Sequence, residues 1–312
     1  MRILFMGTPD FAVSSLKSIA EAGHTITSVI TQPDKPKGRG HKIAHPPVYD
    51  YSQTQGFTVH QPETLRNNAI YGILSEEQPE LIVVVAYGKI LPGYVLDFPK
   101  YGCVNVHASL LPKYRGAAPI QRCIINGETI TGVTTMYMAK GLDTGDMIEK
   151  VVVPIESDDN FETLHDKLAD AGSKIIVSTI GAIENGTAKR EIQNDELSTY
   201  AEMITKETAR IDWSKNAKDI YNQIRGLYPV PKAFSTLGDN QIKITSGRYT
   251  ECNSTSECGT VIEVGNDYIR VKCADNSALD ILEIQPAGKR VMTVCDYLKG
   301  NHIDVGTKFL ND

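Results

Sequence analysis

The run Leu81-Ile-Val-Val-Val-Ala86 constrains this chain more than any other stretch. It is apolar at every position, so both faces of the element it forms must be covered, and its length suits a strand better than a helix. A strand buried on both faces belongs in the middle of a parallel sheet with crossover helices on each side. The neighbouring sequence agrees. Residues 2–6 are a short apolar run followed by Thr8-Pro9-Asp10, where a capping threonine and a proline at the first helical position start a helix that ends at Gly23. Residues 24–31 read as the second strand, and short apolar runs continue to alternate with helical stretches to about residue 106.

A helical stretch over 161–185, with Gly186 as its stop, is followed by a polar stretch over 187–207 that lacks a strand pattern. From about residue 208 the texture changes. Phe234-Ser-Thr-Leu, Gln241-Ile-Lys-Ile-Thr, Gly259-Thr-Val-Ile-Glu-Val, Tyr268-Ile-Arg-Val-Lys-Cys and Leu279-Asp-Ile-Leu-Glu-Ile are short alternating strands divided by Gly, Asn and Asp turns. Five such strands fit a small OB-type barrel, although a barrel without any ligand accounts for them equally well. The expected fold is α/β: a Rossmann-like, mostly parallel sheet over residues 1–189, a linker over 190–207 and an OB-like β-barrel domain over 208–312. A length of 312 residues suits two domains.

Hydrophobic content of 41% and charged content of 22% are ordinary for a soluble protein. No apolar run approaches the ~18 residues of a membrane span, and the opening residues read as a first strand instead of a signal peptide. The expected compartment is the cytoplasm, with no membrane contact and no obligatory protein partner. Cysteines 103, 123, 252, 258, 273 and 295 contain no Cys-x-x-Cys and no zinc spacing, so no metal is expected and the thiols read as reduced, including the closely spaced Cys252 and Cys258. A net charge of −6 excludes a strongly basic general nucleic-acid binder. Residues 208–312 hold 13 basic and 13 acidic residues, which leaves the acidic excess on the N-terminal part.

In such a sheet, ligands sit outside the carboxyl ends of the strands, where Gly7, Gln32, Tyr87 and Asn105 fall. Gly7-Thr-Pro-Asp is not a Gly-x-Gly-x-x-Gly loop, which leaves a dinucleotide site little support. Asn105 and His107 follow Gly102-Cys103-Val104 and project to one side of that strand. Asp143 lies in the glycine-bracketed turn Gly141-Leu-Asp-Thr-Gly145, after a further alternating run. An amide and an imidazole N–H there can stabilise an oxyanion on a carbonyl undergoing acyl transfer, while the carboxylate orients the imidazole or handles a proton. With no Gly-x-Ser-x-Gly nucleophile, direct attack by a substrate amine fits better than a covalent acyl-enzyme. Read singly, each of these residues is more often a turn former or cap.

The wider segment Asn105-x-His107-x-Ser109-Leu-Leu-Pro112, Arg115-Gly116-Ala117-Ala118-Pro119-Ile120-Gln121 and Gly141-Leu142-Asp143-Thr144-Gly145 resembles the 10-formyltetrahydrofolate-dependent formyltransferases. Phe5-Met-Gly-Thr-Pro-Asp-Phe-Ala12, Thr31-Gln-Pro-Asp-Lys-Pro-Lys-Gly-Arg-Gly40, Val84-Val-Ala-Tyr-Gly88, Ala209-Arg-Ile-Asp-Trp213 and Gln285-Pro-Ala-Gly-Lys289 look like the methionyl-tRNA formyltransferase family, over residues 2 to about 300. Two positions depart from that pattern: Ala108 stands where many members have Gly, and Leu227-Tyr-Pro-Val-Pro-Lys232 lacks the Trp often found between its prolines.

The resemblance implies formyl transfer from 10-formyltetrahydrofolate to initiator methionyl-tRNA, giving N-formylmethionyl-tRNA for translation initiation. It implies Asn105, His107 and Asp143 as catalytic residues, and Ser109, Leu110, Leu111, Pro112, Gly141 and Leu142 as the lining of the folate site. The segment carrying Lys35, Lys37, Arg39 and Lys42 puts four cations in eight residues, with Gly38, Gly40 and Pro36 opposing regular structure. By resemblance it meets the acceptor arm of the tRNA, chiefly through Arg39, and Lys289 with Arg290 gives a second tRNA contact. The rivals are the same chemistry on a small amine, such as an amino-sugar nucleotide, and a non-catalytic RNA-binding protein.

Overall fold

The computed structural model describes residues 1–37 and 42–310. The chain forms two compact units whose segments alternate along the sequence. The first gathers Met1–Gly116, Ile130–Pro154 and His165–Ala201, and the second Ala117–Thr129, Ile155–Leu164 and Glu202–Asp312.

The strands of the first unit are β1 (Arg2–Gly7), β2 (Thr25–Ile30), β3 (Lys35–Lys37), β4 (Lys42–Ala44), β5 (Val59–His60), β6 (Leu81–Val85), β7 (Cys103–His107), β8 (Arg115–Gly116), β9 (Ile130–Tyr137), β10 (Met147–Pro154) and β11 (Tyr200–Ala201). Seven of them form one sheet in the order β10-β9-β7-β6-β1-β2-β5. Neighbours from β5 to β7 run parallel, and β9 and β10 continue the sheet antiparallel. All five residues of β6 are buried, as its uniformly apolar sequence requires. The chain leaves β1 for β2 on one side and returns to β6 on the other, so a crevice opens at the carboxyl ends of β1 and β6.

That crevice is stitched by one carbonyl. Tyr87 O, just past β6, accepts hydrogen bonds from Thr8 Oγ1 at 3.1 Å and from Gln32 Nε2 at 2.9 Å, which ties together the loops after β1, β2 and β6. The expected capping role of Thr8 is replaced by this bond. The first helix, Asp10–Glu21, has Pro9 as its cap residue and no side-chain cap. The long helix Phe161–Glu184 ends before Gly186, whose φ of +68° is the left-handed conformation expected of a glycine stop.

The basic segment departs from the expectation of no regular structure. β3 and β4 pair antiparallel, with Lys35 opposite Ala44, Pro36 opposite Ile43 and Lys37 opposite Lys42. Each strand of a two-stranded ribbon has a free edge, so Pro36 fits without removing a needed donor. Arg39 lies outside the described residues.

The stretch 190–207 also divides. Glu191 exchanges two backbone hydrogen bonds with Met147 at 2.9 Å, and β11 pairs parallel with β8 in the first unit. Residues from Glu202 onward belong to the second.

The second unit continues with β12 (Ala233–Leu237), β13 (Asn240–Glu251), β14 (Val261–Val264), β15 (Ile269–Lys272), β16 (Ser277–Pro286), β17 (Met292–Thr293) and β18 (Phe309–Leu310). They form an antiparallel sheet in the order β14-β15-β16-β13-β12-β18, with β17 paired to β16. Val261 N donates to Thr307 O and Phe309 N to Gly259 O, both at 2.8 Å. These bonds join the two edges and curl the sheet into a barrel. Its core includes Ile220 and Ile224 from the helix Ala217–Gly226, and Trp213. Trp213 is 1% exposed, and its Nε1 donates to Ser235 Oγ at 2.9 Å while Ser235 Oγ donates to Leu310 O. Among the described residues no helix is long and apolar enough to cross a membrane.

Trp213→Ala therefore removes a large buried ring and leaves Ser235 without its donor. The expected loss is ~3–5 kcal/mol of stability, read as a lowered midpoint of urea unfolding followed by far-UV circular dichroism. An unchanged midpoint would show that the barrel does not depend on this ring.

Candidate active site

β7 sits between β6 and β9, with Asn105 opposite Val84 on one side and Met136 on the other. Asn105 and His107 are both buried, at 9% and 6% exposure. Among the described residues the Asn105 side-chain amide has no hydrogen-bond partner, so its N–H donors remain available to a ligand.

His107 is held from both sides. Its Nε2 lies 2.9 Å from Tyr114 O, and since a carbonyl can only accept, that nitrogen carries a proton. In the neutral ring Nδ1 is then a bare acceptor. It faces Asp143 Oδ2 at 3.7 Å, beyond direct hydrogen-bond length. The N–H expected for an oxyanion is thus already committed to Tyr114, and the imidazole presents a basic nitrogen beside a carboxylate instead.

Asp143 is fixed by backbone. Its Oδ2 accepts from Gly116 N at 2.8 Å, and its own φ of +52° lies in the left-handed region. The turn admits no bulk at Gly145, where a Cβ would fall 1.7 Å from Tyr137 O. The turn is also clamped by Gln193, a residue that sequence reasoning missed. Gln193 is 7% exposed, and its Nε2 donates at 2.8 Å to both Asp143 O and Gly145 O. Its Oε1 accepts from Arg115 Nε at 3.0 Å and Nη2 at 2.8 Å, and Arg115 Nη2 also donates to Asp195 Oδ1 at 2.7 Å. Arg115 is 2% exposed, and a buried guanidinium must have such acceptors, but that burial is not written in the sequence.

The residues expected around the folate are of two kinds. Ser109 and Leu111 are buried and committed: Ser109 Oγ donates to Lys113 O at 2.6 Å, and Leu111 packs with Met136 and Met147. Leu110 lies against Gly132, where an added Cβ would meet Leu110 Cδ2 at 2.6 Å. Pro112 is half-buried, Gly141 is exposed and Leu142 is 58% exposed. At the neighbouring strand end Tyr87 is 2% exposed, and burial pushes its phenol up to about 12.

Lys35 is exposed on the β3–β4 ribbon. The structure describes the backbone of Lys37 and Lys42 in that ribbon, but not their side chains. Lys289 and Arg290 are exposed on the turn after β16, in the second unit. Among the described residues no group of His, Cys, Asp and Glu is placed to hold a metal ion, and the six cysteines are free.

An amide, an imidazole with a bare nitrogen and a backbone-held carboxylate on a Rossmann-like sheet are groups of the kind that acyl transfer uses. The chain belongs to the formyl transferase family. The family model described as formyl transferase matches residues 1–180, and that described as formyl transferase, C-terminal domain, matches residues 203–302. The chain is 50% identical to the methionyl-tRNA formyltransferase of Caldanaerobacter subterraneus subsp. tengcongensis, covering 98% of this chain and 99% of that protein. It is 45% identical to that of Bacillus subtilis, covering 98% and 96%. Among solved structures, the N-formyltransferase of Helicobacter canadensis in complex with folinic acid and dTDP-3-aminofucose shares the fold, with a TM-score of 0.68 at 22% identity over 90% of this chain and 98% of that one.

Gln193→Glu keeps an acceptor for Arg115 but removes both donors to the Asp143 turn. A misplacement of ~1 Å costs about 10²-fold in rate, so kcat for formyl transfer should fall by about that factor while the protein stays folded. Wild-type kcat in the folded variant would show that the turn holds without Gln193.

Proposed function

We propose that this chain transfers a formyl group from 10-formyltetrahydrofolate to the α-amino group of initiator methionyl-tRNA, in the cytoplasm, giving N-formylmethionyl-tRNA for translation initiation. The observation that carries this reading is that Asn105 and His107 lie two residues apart on buried β7 with His107 Nδ1 3.7 Å from Asp143 Oδ2, in a chain 45–50% identical over its length to methionyl-tRNA formyltransferases. The residues fit a formyl donor, because among the described residues the buried Asn105 amide lacks a protein partner and Leu142 is exposed.

The folate supplies a formyl carbon whose bond to nitrogen breaks as its bond to the substrate amine forms. Asn105 donates N–H to the carbonyl oxygen as negative charge gathers there. The amine of an aminoacyl ester is less basic than a chain terminus with its pKa of ~7.7–8.0, so much of it is neutral and nucleophilic at pH 7. His107 Nδ1, left bare by the bond from Nε2 to Tyr114, takes the proton that the attacking amine releases. Asp143 stabilises the imidazolium so formed across 3.7 Å, and the proton then returns to the departing nitrogen. Ser109, Leu110, Leu111, Pro112, Gly141 and Leu142 shape the folate side of the site. Lys35, Lys37, Arg39 and Lys42 meet the acceptor arm, and Lys289 and Arg290 contact the tRNA from the barrel.

The test is labelled formyl transfer with charged initiator tRNA, free methionine and an amino-sugar nucleotide offered in parallel. Product on the tRNA alone is the expected result, and product on the amino sugar would replace this reading with the small-amine one.

Asn105→Ala, His107→Ala and Asp143→Ala should each lower kcat by about 10²–10³ with much smaller effects on folate binding. His107→Gln should lose as much as His107→Ala, because glutamine donates but does not hold a proton. Near-normal turnover in any folded variant removes that residue from the mechanism.

In the basic segment, Arg39→Ala, and less so Lys35→Ala, Lys37→Ala and Lys42→Ala, should raise KM for methionyl-tRNA and leave folate affinity unchanged. Added salt should then weaken the wild type more steeply than the variant, by about 0.7–0.9 in the log–log slope for each phosphate that the variant no longer neutralises. Equal slopes would detach the ribbon from phosphate.

A further inference from the structure

The carbonyl that fixes the tautomer of His107 belongs to a residue in an unfavourable conformation. Tyr114, whose O faces His107 Nε2 at 2.9 Å, has a φ of +61°. A bulky residue adopts this left-handed region only where its surroundings hold it there.

Thr199 supplies that hold. Its Oγ1 accepts from Tyr114 N at 2.8 Å, its O accepts from Arg115 N at 2.9 Å, and its N donates to Pro112 O at 3.4 Å. One residue thus takes both N–H groups that flank the Tyr114 α-carbon. Tyr114 O and Arg115 N also belong to a single trans peptide, so they point to opposite sides of it. With its N–H bound to Thr199 O, that peptide directs its carbonyl at the imidazole. The register is set by β11, which begins at the next residue and pairs Tyr200 with Arg115 and Ala201 with Gly116. The two strands approach so closely that a Cβ on Gly116 would meet Ala201 O at 2.9 Å. All of these residues belong to the first unit.

Two groups compete for the single proton of the neutral His107 ring. The Asp143 carboxylate, 3.7 Å from Nδ1, draws it to Nδ1, and the Tyr114 carbonyl draws it to Nε2. Only the second outcome leaves Nδ1 bare. Without the Thr199 hydroxyl, Tyr114 N loses its acceptor and the left-handed φ loses a bond that opposes its relaxation. The carbonyl then turns off the imidazole, and the carboxylate wins the proton. Thr199 itself is exposed, so its side chain adds little to the fold by burial.

We infer that Thr199 is a positioning residue of the transfer reaction: through the Tyr114 peptide it keeps the His107 proton on Nε2 and leaves Nδ1 bare for the attacking amine. This deepens the function proposed above and rests on it for the role of Nδ1. The test uses the full chain with 15N in its histidine rings, as wild type, Thr199→Val, Thr199→Ala and Thr199→Ser. Valine keeps the shape and removes the acceptor, alanine does so without adding bulk, and serine restores the hydroxyl. His107→Gln identifies the His107 signals by their loss. At alkaline pH the wild type and Thr199→Ser should carry the ring proton on Nε2, and Thr199→Val and Thr199→Ala should carry it partly or wholly on Nδ1. In those two variants kcat for formyl transfer should fall by about 10-fold to 10²-fold, the cost of a small misplacement. Folate KM should stay within about twofold of wild type, and kcat of Thr199→Ser should do the same.

Wild-type tautomer in the folded valine and alanine variants would overturn the inference, whether or not kcat falls, because a merely structural role leaves the proton where it was. A serine variant as slow as the valine one would overturn it as well. The ring spectra need no substrate, which separates the two failures. A wild type that formylates no methionyl-tRNA removes the proposed function whatever the spectra show, whereas an active wild type with unaltered variants removes only the role of Thr199.

Discussion

The candidate active site depends on the side-chain amide of Gln193. Its two ends bond to both segments: Nε2 donates to the carbonyls of Asp143 and Gly145, and Oε1 accepts from two nitrogens of Arg115. Two segments far apart in sequence are thereby locked together. One is the turn that carries Asp143, and the other is the Tyr114–Gly116 segment that supplies Tyr114 O to His107 and Gly116 N to Asp143. A neutral amide suits this place because it donates and accepts at once. A carboxylate would satisfy Arg115 and leave two buried carbonyls facing an acceptor.

With Nε2–H bound to a backbone carbonyl, the ring orientation and tautomer of His107 are set by the main chain and not by Asp143. Asp143 is therefore free of the orienting role that a carboxylate has in a serine-protease triad. At 3.7 Å it is near enough to stabilise a charged imidazole and too far to hold the neutral one by a direct bond. Its influence is greatest on the protonated ring, which is the state that the proposed reaction passes through as the amine attacks.

The sheet is legible in the sequence because its signals are local. Residues 81–86 are apolar on both faces, residues 2–6 lead into a helix, and Gly186 ends the long helix where its left-handed φ is needed. Asn105 and His107 are legible for the same reason, since a period of two places them together at a strand end. Gln193 is not, because the turn that its Nε2 holds offers it only carbonyls some 48 to 50 positions away, and a carbonyl leaves no mark on the sequence that names it. The β3–β4 ribbon was hidden by Pro36, whose usual message of irregularity does not hold where both strands are edges. The barrel was expected from its alternating strands, but the particular backbone bonds that close it, from Val261 and Phe309 with β18 only two residues long, leave no mark on the sequence.

A chain with a net charge of −6 cannot hold a polyanion through its overall field, so the way its cations are paired matters more than their number. Most barrel cations near a carboxylate are spent. Asp280, 1% exposed, takes Arg248 and Arg270, and Arg270 also pairs with Glu263. A guanidinium in such a network keeps little attraction for phosphate, because its carboxylates already meet its N–H groups. Lys232 and Lys243 instead donate to neutral oxygens. A few unspent cations on an otherwise neutral barrel give an attraction that is short-ranged and strongly screened by salt. For an enzyme that must release its RNA after each transfer, weak and local attraction of this kind suits turnover better than a broad basic face, whose affinity would persist after the chemistry is done.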